Sequence, residues 1–513
     1  MKKISRGLLA LLVTLIFFAA KVEASELIIY HTNDMHARIL NSDDSGKSIG
    51  LAEIAAAFKA AKAENPATTF WFDAGDTFHG MPRINISKGE NMVPLLNEAG
   101  VNLIVPGNHD FNYGLAQLKR LSKKIKFPMI AANVVLKKNG KPFLKPYKIY
   151  RLPDKTRVGV FGLVTPETAY KTNPKNVEDV EFLNPVNCAR EMIKTLQPKC
   201  DVIIAVMHMG VDKSSEFTSE QIAREAPGID LIIDGHSHTA LPNGIQVGDT
   251  LIAQAECHEY FLGRVTLEIR DHEIISKRAE LLNADEVKAM GKTPDAKINE
   301  LNAEIDKSNE KLLSEVVTHS DRALTSERKI IRCQESELGD LTTDALRWRT
   351  GTDIAIINSG TLREDLPAGN VTRGDILAIF PFGNVVYTKE VTGKIIREIL
   401  EHSVFGYPAT FGGFLDVSGM SFAFDPSQPV GHRVSNILIG GAPLDENKTY
   451  TITGTDFLFA GGDGYDMLKD LKVTGQYGTC EEVVADYLNQ VGMSKIKFGR
   501  IRNLSEEESA KAA

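Results

Sequence analysis

The sequence has a single long uncharged apolar run, Gly7 to Ala20, so a bundle of membrane-spanning helices is excluded. With 21 prolines in 513 residues and no low-complexity body, it is neither a collagen-like nor a disordered chain. Its five cysteines, at positions 188, 200, 257, 333 and 480, include no Cys-x-x-Cys spacing, which argues against zinc-thiolate sites. The odd number leaves at least one thiol unpaired, and all five read as structural. Net positive charge is lacking as well: the formal charge is -8, so broad attraction for nucleic acid or an anionic membrane is not expected. A phosphate-cradling Walker loop is missing, because Gly46-Lys47-Ser48 has Asn at position 41 where the earlier glycine would stand. No internal repeat links the two halves.

What is present is an ordinary globular composition, 43% hydrophobic and 25% charged. The length exceeds the roughly 250 to 300 residues at which one core stops growing, so two domains are expected. The apolar run is preceded by Lys2, Lys3 and Arg6 and followed by Val22-Glu23-Ala24-Ser25. It falls short of the ~20 residues that span a bilayer, and it has the shape of a secretory signal cleaved after Ala24. Cleavage removes four positive charges and one negative, taking the net charge from -8 to -11. No cysteine follows the run and the C-terminal tail has no apolar stretch, so no stable membrane anchor is expected. An exported protein, periplasmic or extracellular, is the reading. An anionic substrate would then need local positive charge, from a metal or a few arginines.

The first half repeats one pattern, a short β-branched run followed by a polar loop. Leu27 to Tyr30 leads to His31-Thr32-Asn33-Asp34-Met35-His36, and Thr69 to Phe72 leads to Asp73-Ala74-Gly75-Asp76. Val101 to Val105 leads to Pro106-Gly107-Asn108-His109-Asp110, Val202 to Met207 to His208-Met209-Gly210, and Leu231 to Ile233 to Asp234-Gly235-His236-Ser237-His238. Helical stretches such as Leu51 to Ala63 lie between them, an alternation that argues for α/β layers. From about Asp285 to Glu315 the composition turns to Lys, Glu, Asp and Asn, with Ile298, Leu301, Ile305 and Leu312 at helical spacing. This predicts a charged helix joining two domains, with an ordinary surface helix as the alternative. A second α/β pattern follows. The expected limits are a signal over 1-24, a first domain over 25-284, a linker over 285-325, a second domain over 326-505 and a tail over 506-513.

Eight of the 12 histidines lie between residues 31 and 258. Asp34 and His36 form an Asp-x-His pair whose side chains point the same way if the segment is extended. Asp76, Asn108, His208, His236 and His238 follow other strands, where α/β sheets gather ligands at their carboxyl ends. Seven oxygen and nitrogen donors are too many for one tetrahedral zinc ion and suit two divalent metals sharing a carboxylate, with Zn, Mn, Fe, Co and Mg all compatible with the donor set.

These motifs, with Gly80, resemble the calcineurin-like metallophosphoesterases, specifically the secreted 5'-nucleotidase and UDP-sugar hydrolase group. The resemblance continues through Asn358-Ser359-Gly360-Thr361-Leu362-Arg363, Pro381-Phe382-Gly383-Asn384, Phe414 to Gly419 and Gly461-Gly462-Asp463-Gly464-Tyr465. It implies a four-layer α-β-β-α metal-binding domain, a helical linker, and a smaller α/β substrate-binding domain that rotates to deliver the nucleotide. It implies that Asp34, His36, Asp76 and His238 hold one metal, that Asp76, Asn108, His208 and His236 hold the other, and that His109 is the catalytic histidine.

One position departs from the group. The nucleotidases carry a carboxylate three residues after that histidine to orient it, and this sequence has Asn112, which looks more like the 2',3'-cyclic nucleotide phosphodiesterase branch. His208-Met209-Gly210, Asn173-Pro174 and Asp179 to Phe182 look more like the 5'-nucleotidase branch. In the second domain the resemblance implies a base sandwich by Phe414 and Phe457, ribose recognition by Asp463 and a phosphate clamp by Arg363, with Arg373 and Arg397 as candidates for a second clamp. Thr361 replaces a glycine usual beside that clamp. The expected activity is release of phosphate from nucleoside 5'-monophosphates and cleavage of other 5'-nucleotides or nucleotide sugars. Its rivals are 2',3'-cyclic phosphodiesterase activity and a nucleotide-binding surface protein without catalysis.

Overall fold

In the strand Thr69–Asp73 (TFWFD), Trp71 and Phe72 point to opposite faces and both are fully buried, as a strand covered on both sides requires. The computed structural model to which it belongs describes residues 24–41, 47–169, 171–172, 174–213, 215–493 and 497–505. The expected signal, except for Ala24, and the tail from 506 onward lie outside the described residues.

The first domain is built on two sheets. One runs in the order Glu273–Leu282, Leu262–Arg270, Ser25–Thr32, Thr69–Asp73, Leu103–Ile104, and the other in the order Ile245–Val247, Thr250–Ala253, Leu231–Ile233, Val202–His208, Arg157–Val164, Tyr147–Arg151. A core containing Ile29, Trp71, Leu103, Val160, Ile204 and Leu231 unites the two sheets. Helices Leu51–Glu64 and Met92–Ala99 cover the outside of the first sheet, and Pro185–Leu196 and Ser219–Glu225 cover the second. This is the expected four-layer α-β-β-α order. The central strands of each sheet are parallel and end level, with Thr32 opposite Asp73, Asp73 opposite Ile104 and Val206 opposite Ile233. The loops leaving them therefore emerge along one rim.

The segment read as one charged helix is two, Ala284–Gly291 and Ala296–Leu313, separated by a stretch containing Pro294. Pro cannot continue the first helix, and Asp295 caps the second by accepting from the Ile298 amide at 3.0 Å. The second helix is tied to the first domain through Arg83, whose Nε lies 2.7 Å from Asp306 and whose guanidinium also donates to Asn302. It ends against the second domain, where the Arg373 amide donates to Glu315 O at 3.0 Å.

The second domain has a five-stranded mixed sheet in the order Leu415–Ser418, Ile354–Asn358, Thr449–Thr455, Val385–Thr392, Val473–Thr479. Along Ile354–Asn358, Ile354 and Ile356 enter one core while Ala355 and Ile357 enter another, the period of two that a doubly covered strand must show. A four-stranded sheet, Ala442–Pro443, Val434–Ile439, Met420–Phe424, Ile501–Asn503, adjoins it. All five cysteines are free thiols. No helix among the described residues is long and apolar enough to cross a membrane.

Candidate metal centre

The rim collects Asp34, His36, Asp76, Asn108, His208, His236 and His238, each just beyond or at the end of a parallel strand. Asp34 and His36 are not in extended backbone, the condition under which their side chains would point the same way by alternation. Their φ values are 50° and 45°, and those of Asp76, His236 and His238 are 56°, 79° and 50°. Left-handed backbone at residues other than glycine costs of order 1 kcal/mol or more each, and it concentrates where surrounding structure enforces a site. The enforcement is visible: the Asp34 and His36 amides donate to Gly75 O and Asp76 O, both at 2.8 Å. Gly107 must be glycine, because a Cβ there would stand 2.2 Å from Asp76 Oδ1.

Around Asp76 the donors fall into two adjoining groups. Asp34 Oδ1 lies 3.4 Å from His238 Nε2, which is 3.1 Å from His36 Nε2. On the other side, His208 Nε2 lies 3.1 Å from Asp76 Oδ2, which is also 3.9 Å from His36 Nε2. Asp76 thus borders both groups, and so does Asp34, whose Oδ1 lies 3.8 Å from His208 Nε2. Asp34 Oδ1, Asn108 Oδ1 and His208 Nε2 are buried without a hydrogen-bond partner. Such atoms cost free energy unless a cation or proton meets them. His208 Nδ1 donates to Ala74 O at 2.7 Å, which aims the Nε2 lone pair at the cluster. A hard or borderline divalent cation fits this oxygen and imidazole set.

The protonation pattern of the metal-free site follows. Burial alone would lower His208, but the carboxylates of Asp76 and Asp34 outweigh it and push it up to about 10. His238 is likewise raised against its burial by Asp34. For both carboxylates burial works upward, yet neighbouring histidine charge holds Asp34 and Asp76 below the usual range. His36 is lowered by burial. At neutral pH a proton therefore occupies His208 and must leave when a cation binds. Calorimetric metal titration at pH 7, in buffers of different ionisation enthalpy, is expected to show net release of at least one proton, with affinity falling as pH falls. Because the folded His208 value lies above its ordinary 6.5, its contribution to stability without metal is complete below about pH 6.5 and is lost as pH rises toward 10. A metal-free unfolding series across pH 6 to 10 checks the sign.

His236 uses Nε2 elsewhere: Glu167 Oε2 lies 3.1 Å away and Lys171 Nζ 3.0 Å away, so Nδ1 is the nitrogen left for a metal. Glu167 is thus a carboxylate that orients the His236 imidazole, a role the sequence reading missed. His258 was also missed; its ring lies 5.7 Å from that of His36 and 5.9 Å from that of His238. Asp110 does not face the cavity. Its carboxylate accepts from the amides of Asp76, Thr77, Phe78 and Gly107 at 2.8 to 3.0 Å, joining the two ligand loops. Asp110→Asn removes acceptor capacity from buried amides, so a loss of about 1 to 3 kcal/mol in stability is expected. Metal affinity should fall about 10- to 100-fold, since this residue supports the loops that carry ligands. Denaturant unfolding and metal titration of the variant check both.

His109 lies against the same cluster, within reach of His36 and Asp76. Its amide donates to Asp76 Oδ1 at 2.8 Å, and Asn112 Nδ2 lies 3.2 Å from its Nδ1, leaving Nε2 for the cavity. Burial holds the ring down to about 4, neutral at physiological pH. The cavity, about 340 Å³, is closed on its far side by Phe382, Gly383, Val385, Tyr387, Asp456 and Gln476 of the second domain.

Two family models match this architecture: the calcineurin-like phosphoesterase over residues 27–240 and the 5'-nucleotidase C-terminal domain over residues 316–470. The chain carries a calcineurin-like phosphoesterase domain and a 5'-nucleotidase C-terminal domain. Similar proteins span both domains. A 5'-nucleotidase of Vibrio cholerae is 28% identical over 508 residues, 90% of each chain. Protein UshA of Escherichia coli is 28% identical over 517 residues, covering 91% of this chain and 92% of its own. The crystal structure of a 5'-nucleotidase precursor from Thermus thermophilus superposes with a TM-score of 0.55 at 28% identity, covering 93% of this chain and 99% of that one.

In the 5'-nucleotidase C-terminal domain, Asp463 sits in left-handed backbone at φ 53° and accepts from Asn358 Nδ2 at 2.9 Å. Thr361 donates to Asn358 Oδ1 at 2.7 Å and so braces that contact. Arg363 lies over the Phe382 ring at 5.5 Å, which places it beside the metal cavity. The expected pair of stacking rings is not formed. Phe414 is 1% exposed in the domain core with Ile356 and Leu458, because the strand it leads into buries it, whereas Phe457 is 42% exposed. Phe411, half-buried, closes its ring over Gly413 next to Asp463. Arg373 and Arg397 are paired elsewhere, with Glu315 at 3.1 Å and Glu446 at 2.7 Å. Arg332 is the arginine beside Arg363 and Asp463, and its buried Nε has no partner. Nothing in its local sequence, Ile331-Arg332-Cys333, announces it.

Proposed function

We propose that the protein is an exported hydrolase that releases phosphate from nucleoside 5'-monophosphates, using two divalent cations such as Zn or Mn, and that it also cleaves other 5'-nucleotides or nucleotide sugars. The observation that carries this reading is the set of buried, partnerless donors on both sides of Asp76, faced by His109. Asp34, His36, Asp76 and His238 would hold one cation, and Asp76, Asn108, His208 and His236 the other. Cations held there supply Lewis acidity toward the phosphoryl oxygens and a nucleophilic water at neutral pH.

The chain's own residues do the rest. His109, neutral and carrying its proton on Nε2, donates to the phosphoryl group as charge grows on it and assists the leaving 5' oxygen. Arg363 and Arg332 clamp the phosphate side of the nucleotide with planar guanidinium donors. Asp463 accepts from the ribose hydroxyls, and Phe457 with Phe411 offers stacking faces that tolerate any base. Arg332→Ala combined with Arg363→Ala is expected to raise KM for AMP at least tenfold with little change in kcat, which steady-state kinetics would check.

Asn112 favours one other reading, hydrolysis of 2',3'-cyclic nucleotides, because an amide replaces the orienting carboxylate. A complete donor set stands against a surface protein that has lost catalysis. The deciding experiment removes metal with chelator, restores Mn or Zn, and times phosphate release from AMP, UDP-glucose and 2',3'-cyclic AMP. AMP turnover in the lead supports the proposal, and cyclic turnover in the lead replaces it.

A further inference from the structure

The support of His109 extends across the domain interface. Asn112 Nδ2 lies 3.2 Å from His109 Nδ1 and also 3.2 Å from His79 Nδ1, while its Oδ1 accepts from the Thr172 hydroxyl at 2.7 Å. An amide NH2 carries two hydrogens, one for each ring. Both imidazoles therefore use Nδ1 as acceptor and carry a proton on Nε2. The two rings are parallel, 7° apart in plane with centroids at 5.7 Å. His79 is 1% exposed, and its Nε2 has no hydrogen-bond partner within normal distance. It points instead at Glu482 Oε2, 3.7 Å away. Glu482 belongs to the second domain, in the first turn of the helix Cys480–Gln490, where Oε2 also accepts from the Thr479 amide at 3.1 Å. Tyr113, whose ring lies 5.3 Å from that of His79, completes the surroundings.

We propose that His79 and Glu482 are positioning residues for His109: Glu482, carried by the second domain, faces His79 Nε2–H and so keeps His79 Nδ1 an acceptor, which holds the Asn112 amide with its NH2 toward both rings. His109 is then held in its Nε2–H form and orientation while the helix Cys480–Gln490 is seated against the first domain. The phosphoesterase domain is thereby informed of where its partner domain stands. This deepens the phosphoesterase reading and rests on it.

The test uses the full mature chain loaded with Mn. Glu482→Gln and His79→Gln are each expected to lower kcat on AMP about tenfold with KM within twofold, because neither side chain is assigned to substrate. Asn112→Asp removes the amide through which Glu482 and His79 act on His109, so in that background Glu482→Gln should cost less than twofold. Equal losses from Glu482→Gln in both backgrounds would overturn the relay. Long-range 15N–1H correlation spectra of the metal-free protein give a readout independent of turnover: Nε2–H tautomers at both His79 and His109 are expected, and an Nδ1–H tautomer at His109 would refute the proposal. Should His79→Gln fail to fold, Glu482→Gln carries the test. A Glu482→Gln protein that melts lower but keeps its kcat and its His109 tautomer has lost an interdomain contact only, which also overturns the proposal. Should the wild type release no phosphate from any nucleotide, the phosphoesterase reading fails while the tautomer spectra still decide the relay.

Discussion

Asp76→Asn is expected to strip the protein of bound metal and to reduce phosphate release from AMP more than about a thousandfold, about 4 kcal/mol of transition-state stabilisation. Asp76 is the residue on which both donor groups depend. Its Oδ2 lies 3.1 Å from His208 Nε2 and 3.9 Å from His36 Nε2, and its Oδ1 takes the His109 amide at 2.8 Å. Asparagine keeps the shape and can keep the backbone contact, but it then turns an NH2 toward two imidazole nitrogens and removes the charge that offsets two cations. Metal content per chain and initial rate are the measurements. A variant that retains two metals and more than a tenth of the rate would show that Asp76 is not the shared ligand.

His109→Ala separates chemistry from metal binding. A general acid or charge-stabilising group contributes about 10²- to 10⁴-fold, so kcat should fall within that range while metal content stays at the wild-type level. The geometry makes this informative, because His36, Asp76 and His109 also lie close enough together to hold an ion by themselves. If the variant loses a metal, His109 is a ligand, and the catalytic assignment passes to another group in the cavity. Since burial keeps His109 neutral down to about 4, its loss should depress kcat throughout pH 5 to 8 without creating a new acid limb there.

The convergence of the candidate donors on one rim was legible in the sequence because each sits just after or at the end of a β-branched run, and parallel strands that end level bring such positions together. The chemistry of the donors then limited the choice of cation class. Other features were misread for identifiable reasons. Asp34 and His36 converge through left-handed backbone held by Gly75 and Asp76, so the strand alternation that an extended segment would give does not apply. Phe414 was matched by motif to an open stacking face, yet its neighbours in the fold bury it.

By itself the sequence determined the α/β layering and the two-part organisation and pointed to the seven candidate donors, since strand period, turn chemistry and donor type are properties of neighbouring residues. Tertiary structure decided which distant side chains act together: Glu167 behind His236, Asp110 across the amides of residues 76 to 78, Arg332 beside Arg363, and Glu482 facing His79 from the other domain. His79 and Glu482 lie 403 positions apart in the chain and 3.7 Å apart in space. Local propensity carries no information over that separation; the packing of one domain against the other does.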